Sequence, residues 1–188
     1  MQEAAVAVIG VAESAGLSSF TLVGASLGAD VSFRLALQRP ASVPTMVLVS
    51  PTCVAPGQAT WGNTAELARK AMLAHPEDLA IASPDSSRTT ILAGLAERWR
   101  TEENTAIDLL PELSAATLVV FGQEDRLVAS EAGGLWKGRV PNCSISYVYD
   151  AGHAIGVDRP DALADVVLDF VERRETFIVE KRSSVINP

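Results

Sequence analysis

Four short apolar runs along the chain predict the strands of a sheet. The two central runs lack the polar alternation of a strand with one face in water, which indicates burial on both sides. The four runs are Phe20–Val23, Thr45–Val49, Thr117–Phe121 and Ser144–Tyr149. Apolar residues at helical spacing lie between these runs. Strands that alternate with helices predict a parallel sheet with flanking helices, the α/β class.

The predicted helices carry apolar faces that fit against such a sheet. Met1–Gly16 has few polar positions, and the helix that Pro40 ends is apolar over much of its circumference, so both are expected to be packed. The last helix has the clearest pattern, with Pro160 near its first position and apolar residues at i, i+3, i+4, i+7 and i+8. Those residues are Leu163, Val166, Val167, Phe170 and Val171.

The first strand runs into the pentapeptide Gly24–Gly28, which places Ser26 on a turn between a strand and a helix. A serine at such a corner takes a strained backbone conformation, and glycines at positions 24 and 28 let neighbouring chain approach closely. Its hydroxyl then stands at the positive end of a helix, where an oxyanion on a substrate is stabilised. The alternative is a glycine-rich turn with an incidental serine.

On these residues the chain resembles the C-terminal part of an α/β-hydrolase fold protein, with Ser26 at the nucleophile elbow. The resemblance implies a partial α/β-hydrolase fold that lacks the N-terminal strands and supplies only the fifth to eighth. It also implies that the Leu27 N–H is one oxyanion-hole donor, and that the loop which donates the other is absent. Loss of one donor predicts low activity or none. The first strand would leave an apolar edge, for which we expect strand pairing with a second copy or another chain, rearrangement of the first helix, or poor solubility.

A serine nucleophile needs a base, and the base needs an acceptor that fixes its tautomer. His153 follows the fourth predicted strand and Asp125 follows the third, so both reach the edge where the carboxyl ends of parallel strands meet. The order Ser26, Asp125, His153 is that of the α/β-hydrolase triad. Two alternatives stay open: His153 as a loop-capping residue, and Asp125 as a turn former with Glu124 as the acid.

The remaining histidine, carboxylates and thiols are interpreted as structural. His75 lies between the second and third strands, away from that edge, and Asp150 and Asp158 are predicted to be turn and helix-start residues. Cys53 and Cys143 are too few for a disulfide framework and indicate a reducing compartment. Because no His, Cys or carboxylate cluster has metal-ligand spacing, neither a metal nor another cofactor is expected.

The segment between the second and third strands differs in composition, and in the resembling family it often carries a helical cap over the active site. The predicted organisation is a hydrolase core over 1–55 and 117–174, a cap insertion over 56–116 with helices at Ala65–Leu73 and Thr90–Trp99, and a tail over 175–188. Four large apolar cap residues are candidates for lining an acyl or aromatic pocket, with seating the cap on the core as the alternative. They are Trp61, Met72, Leu73 and Trp99.

The formal net charge of −8, with no basic cluster, argues against nucleic acid or an anionic membrane as a partner and favours a small-molecule substrate. No signal-peptide pattern or membrane-length apolar run is present, so the protein is predicted to be cytoplasmic. With the resemblance, this predicts a serine hydrolase that cleaves a small carboxylic ester or a related acyl bond. The alternatives are a carbon–carbon bond hydrolase or acyltransferase with the same triad, and an inactive truncated hydrolase or partner subunit.

Overall fold

The computed structural model describes residues 1–54, 65–77, 94 and 106–173 of the chain. The predicted tail at 175–188 and all of the helix predicted at Thr90–Trp99 except Gly94 lie outside the described residues. The division into core, cap and tail therefore stays a prediction.

Four parallel strands form the described sheet, in the spatial order β1-β2-β3-β4. The strands are β1 (Thr21–Ala25), β2 (Thr45–Val49), β3 (Ala116–Gly122) and β4 (Cys143–Val148). Each of the four predicted runs overlaps one of these strands. The predicted parallel sheet of the α/β class is thereby confirmed.

Helices lie on both faces of this sheet. They are α1 (Gln2–Ser14), α2 (Leu27–Gln38), α3 (Ala65–Met72), α4 (Ala106–Leu109), α5 (Ala132–Arg139), α6 (Ile155–Asp158) and α7 (Pro160–Arg173), with a 3-10 turn at Leu110–Glu112. Residues of α1, α2 and α5 share one apolar cluster with the sheet, here called the α2 core. Residues of α7 form a second cluster on the other face.

The central strands are apolar apart from the buried Thr45 and Thr117, because both of their faces are buried. In β2, Met46 and Leu48 belong to the α2 core, whereas Val47 and Val49 belong to the cluster with α7. This two-sided core holds the carboxyl ends of the strands at one edge, where the loops carry the residues predicted to react.

β1 differs from the central strands because, in the described sheet, it pairs only with β2. Val23 is 56% exposed, whereas every residue of β2 and β3 is buried. The N–H groups of Phe20 and Ser26 donate toward the β2 side, to Ser42 O at 2.9 Å and Val49 O at 2.8 Å. Since successive N–H groups of a strand alternate in direction, the N–H of Val23 points to the outer edge.

Candidate active site

Ser26 joins the end of β1 to the start of α2 with φ 52° and ψ −124°. A residue other than glycine rarely adopts a positive φ, and the strain amounts to about 1–3 kcal/mol. Two backbone hydrogen bonds hold the corner: the Ser26 N–H donates to Val49 O at 2.8 Å, and Ser26 O accepts from the Ala29 N–H at 2.9 Å. The strained corner expected from the motif is therefore present.

The two glycines of the motif differ in their surroundings. A Cβ on Gly24 would lie 2.4 Å from Gly28 O and 2.5 Å from Ser32 Oγ, so β1 and α2 approach this closely only because residue 24 has no side chain. A Cβ on Gly28 would meet no atom within 4 Å in the described part of the chain. Among the described residues, the prediction that both glycines make room holds for Gly24 but not for Gly28, which lies on the exposed side of α2.

His153 connects Ser26 to Asp125. Its Nε2 lies 2.7 Å from Ser26 Oγ, and its Nδ1 lies 2.9 Å from Asp125 Oδ2. The His153 side chain is 1% exposed and the Asp125 side chain 0%, so their attraction is weakly screened. In the neutral ring, Nδ1–H donates to the carboxylate and Nε2 accepts from the serine hydroxyl. The structure thus brings together the three predicted residues, each from the end of a different strand.

The loop after β3 fixes the Asp125 carboxylate. Its Oδ1 accepts the N–H groups of Leu127 at 2.8 Å and Val128 at 2.9 Å, which leaves Oδ2 for His153. Glu124, the alternative acid, is exposed. This geometry favours Asp125 as the acceptor for the histidine ring.

The loops that carry Asp125 and His153 also pack on each other through their backbones. The Glu124 N–H donates to Ala151 O at 2.9 Å. A Cβ on Gly122 would lie 2.2 Å from Gly152 O, so the last residue of β3 has to be glycine for this approach. Backbone contacts between the two loops therefore help to set the distance between Asp125 and His153.

Leu27 is the first residue of α2, where helical N–H groups lack a partner within the helix. Among the described residues, none accepts a hydrogen bond from the Leu27 N–H. This amide and the positive end of the α2 dipole are adjacent to Ser26. The Leu27 N–H can therefore donate to an oxyanion on a group bonded to Ser26 Oγ, and its role in catalysis stays a prediction.

Asp30 is a buried polar residue that the sequence analysis missed. Its carboxylate accepts the N–H groups of Thr52 at 2.8 Å and Cys53 at 3.0 Å, and also the Thr52 hydroxyl. Burial raises the pKa of Asp30 above its ordinary value, although these hydrogen bonds oppose the shift. The residue ties the segment after β2 to the helix after Ser26. Its one sequence signal is a carboxylate within a helix that is apolar over much of its circumference.

Of the four predicted pocket residues, Met72 and Leu73 are described, whereas Trp61 and Trp99 lie outside the described residues. Met72 packs against the α2 core and Leu73 is buried. Such packing is what the alternative, a cap seated on the core, predicts, and the pocket role stays a prediction. His75 pairs with Asp150, its Nε2 2.5 Å from Oδ1. Since Asp150 lies in the loop between β4 and His153, the expectation that His75 lies away from this edge of the sheet is wrong.

The described residues contain no group of three or more His, Cys, Asp or Glu side chains arranged to hold a metal ion. Within the same residues, no helix combines the length and the apolar character that crossing a membrane requires.

Comparison with known sequences identifies the family. A sequence model of the Alpha/beta hydrolase family matches residues 2–166. The chain belongs to the alpha/beta hydrolase family. The resemblance inferred from the Ser26 motif is thereby confirmed, and the matched region includes all four strands and the candidate residues.

Three proteins illustrate the similarity of this alpha/beta hydrolase to known members. The 2-hydroxymuconate semialdehyde hydrolase of Pseudomonas putida is 25% identical over 185 residues, covering 87% of this chain and 66% of that protein. A membrane phospholipase A, a bacterial virulence factor, superposes with a TM-score of 0.75 at 18% identity, covering 89% of this chain and 61% of its own. Naproxen esterase from Bacillus subtilis superposes with a TM-score of 0.70 at 17% identity, covering 89% and 65%.

The chain thus spans no more than about two thirds of the length of these three relatives. The structural likeness shows the shared fold. The activity, substrate and partners of the whole protein are matters of proposal.

Proposed function

We propose that this alpha/beta hydrolase is a serine hydrolase that cleaves a small carboxylic ester or a related acyl bond. The observation that supports the proposal most strongly is the pair of hydrogen bonds made by His153, one to Ser26 and one to Asp125. A serine that served only to form a turn would need neither a buried histidine hydrogen-bonded to its hydroxyl nor a carboxylate hydrogen-bonded to that histidine. The strained backbone at Ser26 adds to this argument, because such strain concentrates at functional sites.

In the first half of the reaction, Ser26 Oγ attacks the acyl carbon while its proton passes to His153 Nε2. Asp125 keeps the ring oriented and stabilises the imidazolium that forms. The oxyanion of the tetrahedral intermediate accepts a hydrogen bond from the Leu27 N–H. When the intermediate collapses, the leaving alcohol takes the proton from Nε2, and the acyl group remains on Ser26.

In the second half, His153 removes a proton from a water molecule, which attacks the acyl group on Ser26. Collapse of the second intermediate releases the carboxylic acid and returns the proton to Ser26 Oγ. Leu27 is the oxyanion donor that we assign among the described residues, and removing a single such donor typically lowers turnover by about 10²–10³.

A second candidate is hydrolysis of a carbon–carbon bond next to a carbonyl group. The Pseudomonas putida relative, named 2-hydroxymuconate semialdehyde hydrolase, favours this candidate. The same three residues would serve, since a carbonyl carbon is again the electrophile. Acyl transfer to an alcohol is a variant of the first reaction in which the alcohol replaces water.

Steady-state kinetics on two substrate classes test the proposal. The substrates are p-nitrophenyl esters from acetate to octanoate and 2-hydroxymuconate semialdehyde, with Ser26→Ala, His153→Ala and the exposed control Ser19→Ala. We expect ester turnover that falls at least about 10³-fold in the first two variants and not in the control. Preference for the semialdehyde would replace the ester proposal with the second candidate. No turnover of either class would favour a non-catalytic role.

A further inference from the structure

Residues Met72–Ala74, here called the strut, lie against the loop that carries His153. The Ala154 N–H, directly after the histidine, donates to Met72 O at 2.8 Å. A Cβ on Gly152, directly before it, would lie 2.8 Å from both Met72 O and the Ala74 N. The strut therefore passes this close to the loop only because residue 152 is glycine.

Asp158 bridges the strut and the loop through a single carboxylate oxygen. Its Oδ2 accepts the Gly152 N–H at 2.8 Å and the Ala74 N–H at 3.0 Å. Hydrogen bonds to a charged acceptor are about twice as strong as neutral ones. Asp158 is the last residue of α6, rather than the helix-start residue that the sequence predicted. Both neighbours of His153 are thus held, one by the strut and one by Asp158.

The loop that carries Asp125 holds the same part of the chain. Arg126 Nη1 donates to Lys70 O at 2.8 Å and to Leu73 O at 3.3 Å, near the C-terminal end of α3. A guanidinium at this position also interacts favourably with the negative end of the helix. The acid and the base of the candidate triad are therefore anchored to one short piece of the segment between β2 and β3.

We propose that Asp158 is a positioning residue for His153, which acts by tying Gly152 to the strut and so sets the distance from His153 Nε2 to Ser26 Oγ. The inference rests on the proposed function, in which His153 is the base. Without the carboxylate, two N–H groups lose their acceptor, and the loop and strut separate so that water can reach them. A misplacement of about 1 Å between reacting groups lowers a rate by about 10². A substrate that displaces the strut would also displace the base.

Three variants test the bridge through the rate at which a fluorophosphonate modifies Ser26. Asp158→Ala removes the acceptor, and we expect labelling about tenfold to a hundredfold slower at a temperature where the protein is folded. In Asp158→Asn the amide oxygen still accepts both N–H groups, so labelling should stay within about threefold of the wild type. Asp165→Ala removes an exposed carboxylate of α7 as a matched control and should leave the rate unchanged.

Proton NMR provides a readout that needs no reactivity. The low-field resonance of His153 Nδ1–H, hydrogen-bonded to Asp125, should shift or broaden in Asp158→Ala and persist in Asp158→Asn and Asp165→Ala. If folded Asp158→Ala shows the wild-type resonance, the inference is overturned whatever the labelling rate. It is also overturned if Asp158→Asn slows labelling and changes the resonance as much as Asp158→Ala does. If the wild type does not label, the proposed function fails, and the resonance alone decides whether Asp158 positions the ring.

Discussion

The substitution Gly24→Ala tests whether the close approach of β1 and α2 sets the position of Ser26. The added Cβ would lie 2.4 Å from Gly28 O and 2.5 Å from Ser32 Oγ. The Ser32 hydroxyl can rotate away if it gives up its 2.8 Å hydrogen bond to Gly28 O, but the backbone oxygen cannot. Because ordinary contact begins at 3.4 Å, the first turn of α2 has to move by about 1 Å.

Two effects of this movement are measurable. Overpacking of this kind destabilises a protein by about 1–3 kcal/mol, which lowers the midpoint of urea unfolding. A shift of about 1 Å between Ser26 and its base lowers the rate of ester hydrolysis or phosphonate labelling by about 10². Both effects should be measured on the same samples. The rate should be measured at urea concentrations below the unfolding transition, where the variant is folded.

Gly28→Ala is the matched control, because its Cβ meets no atom within 4 Å in the described part of the chain. Alanine is the better helix former by up to about 1 kcal/mol, so this variant should be at least as stable as the wild type and equally reactive. Wild-type stability and reactivity in Gly24→Ala would refute the reasoning. An equal loss of stability and reactivity in Gly28→Ala would refute it too.

Two further substitutions test the buried carboxylate and the strand edge. Burial raises the pKa of Asp30, so between the ordinary aspartate pKa and the raised one the folded protein retains a proton that the unfolded chain has released. The free energy of unfolding of the wild type, relative to that of Asp30→Asn, should therefore fall as pH rises through this range. Urea unfolding across that pH range measures the difference, and a difference independent of pH contradicts the assignment. Val23→Pro removes an outward N–H of β1 without removing a hydrogen bond to β2. If a second copy pairs with this edge, sedimentation should show a dimer for the wild type and for Val23→Thr, and a monomer for Val23→Pro. A monomeric wild type, or equal sedimentation of the two variants, would exclude a second copy at this edge.

The strands and the Ser26 corner were predictable because their signals are local. β2 and β3 are buried on both faces and, apart from Thr45 and Thr117, contain no polar side chain, so they lack polar alternation. The corner follows from a strand, a glycine-flanked serine and a helix in sequence. The meeting of Asp125 and His153 also followed from topology, since loops after parallel strands open on one edge of the sheet.

The contacts of Asp30 and Asp158 were not predictable because they depend on which N–H groups the tertiary fold brings to each carboxylate. Asp158 meets Ala74 across 84 positions of the sequence, and Asp30 meets Thr52 across 22. Hydrophobic periodicity specifies which face of an element is buried, but carries no information about such pairings. For the same reason, the pattern could not separate Gly24, which is crowded, from Gly28, which has no such neighbour among the described residues.

The most direct test of the account is intact-mass analysis of the purified chain after treatment with a fluorophosphonate, beside Ser26→Ala and His153→Ala. A nucleophilic serine activated by His153 predicts one phosphonyl group per chain, located on Ser26 by peptide mapping and absent or far slower in both variants. No labelling of the folded wild type, or unchanged labelling in His153→Ala, would contradict the claim that these residues form a working triad.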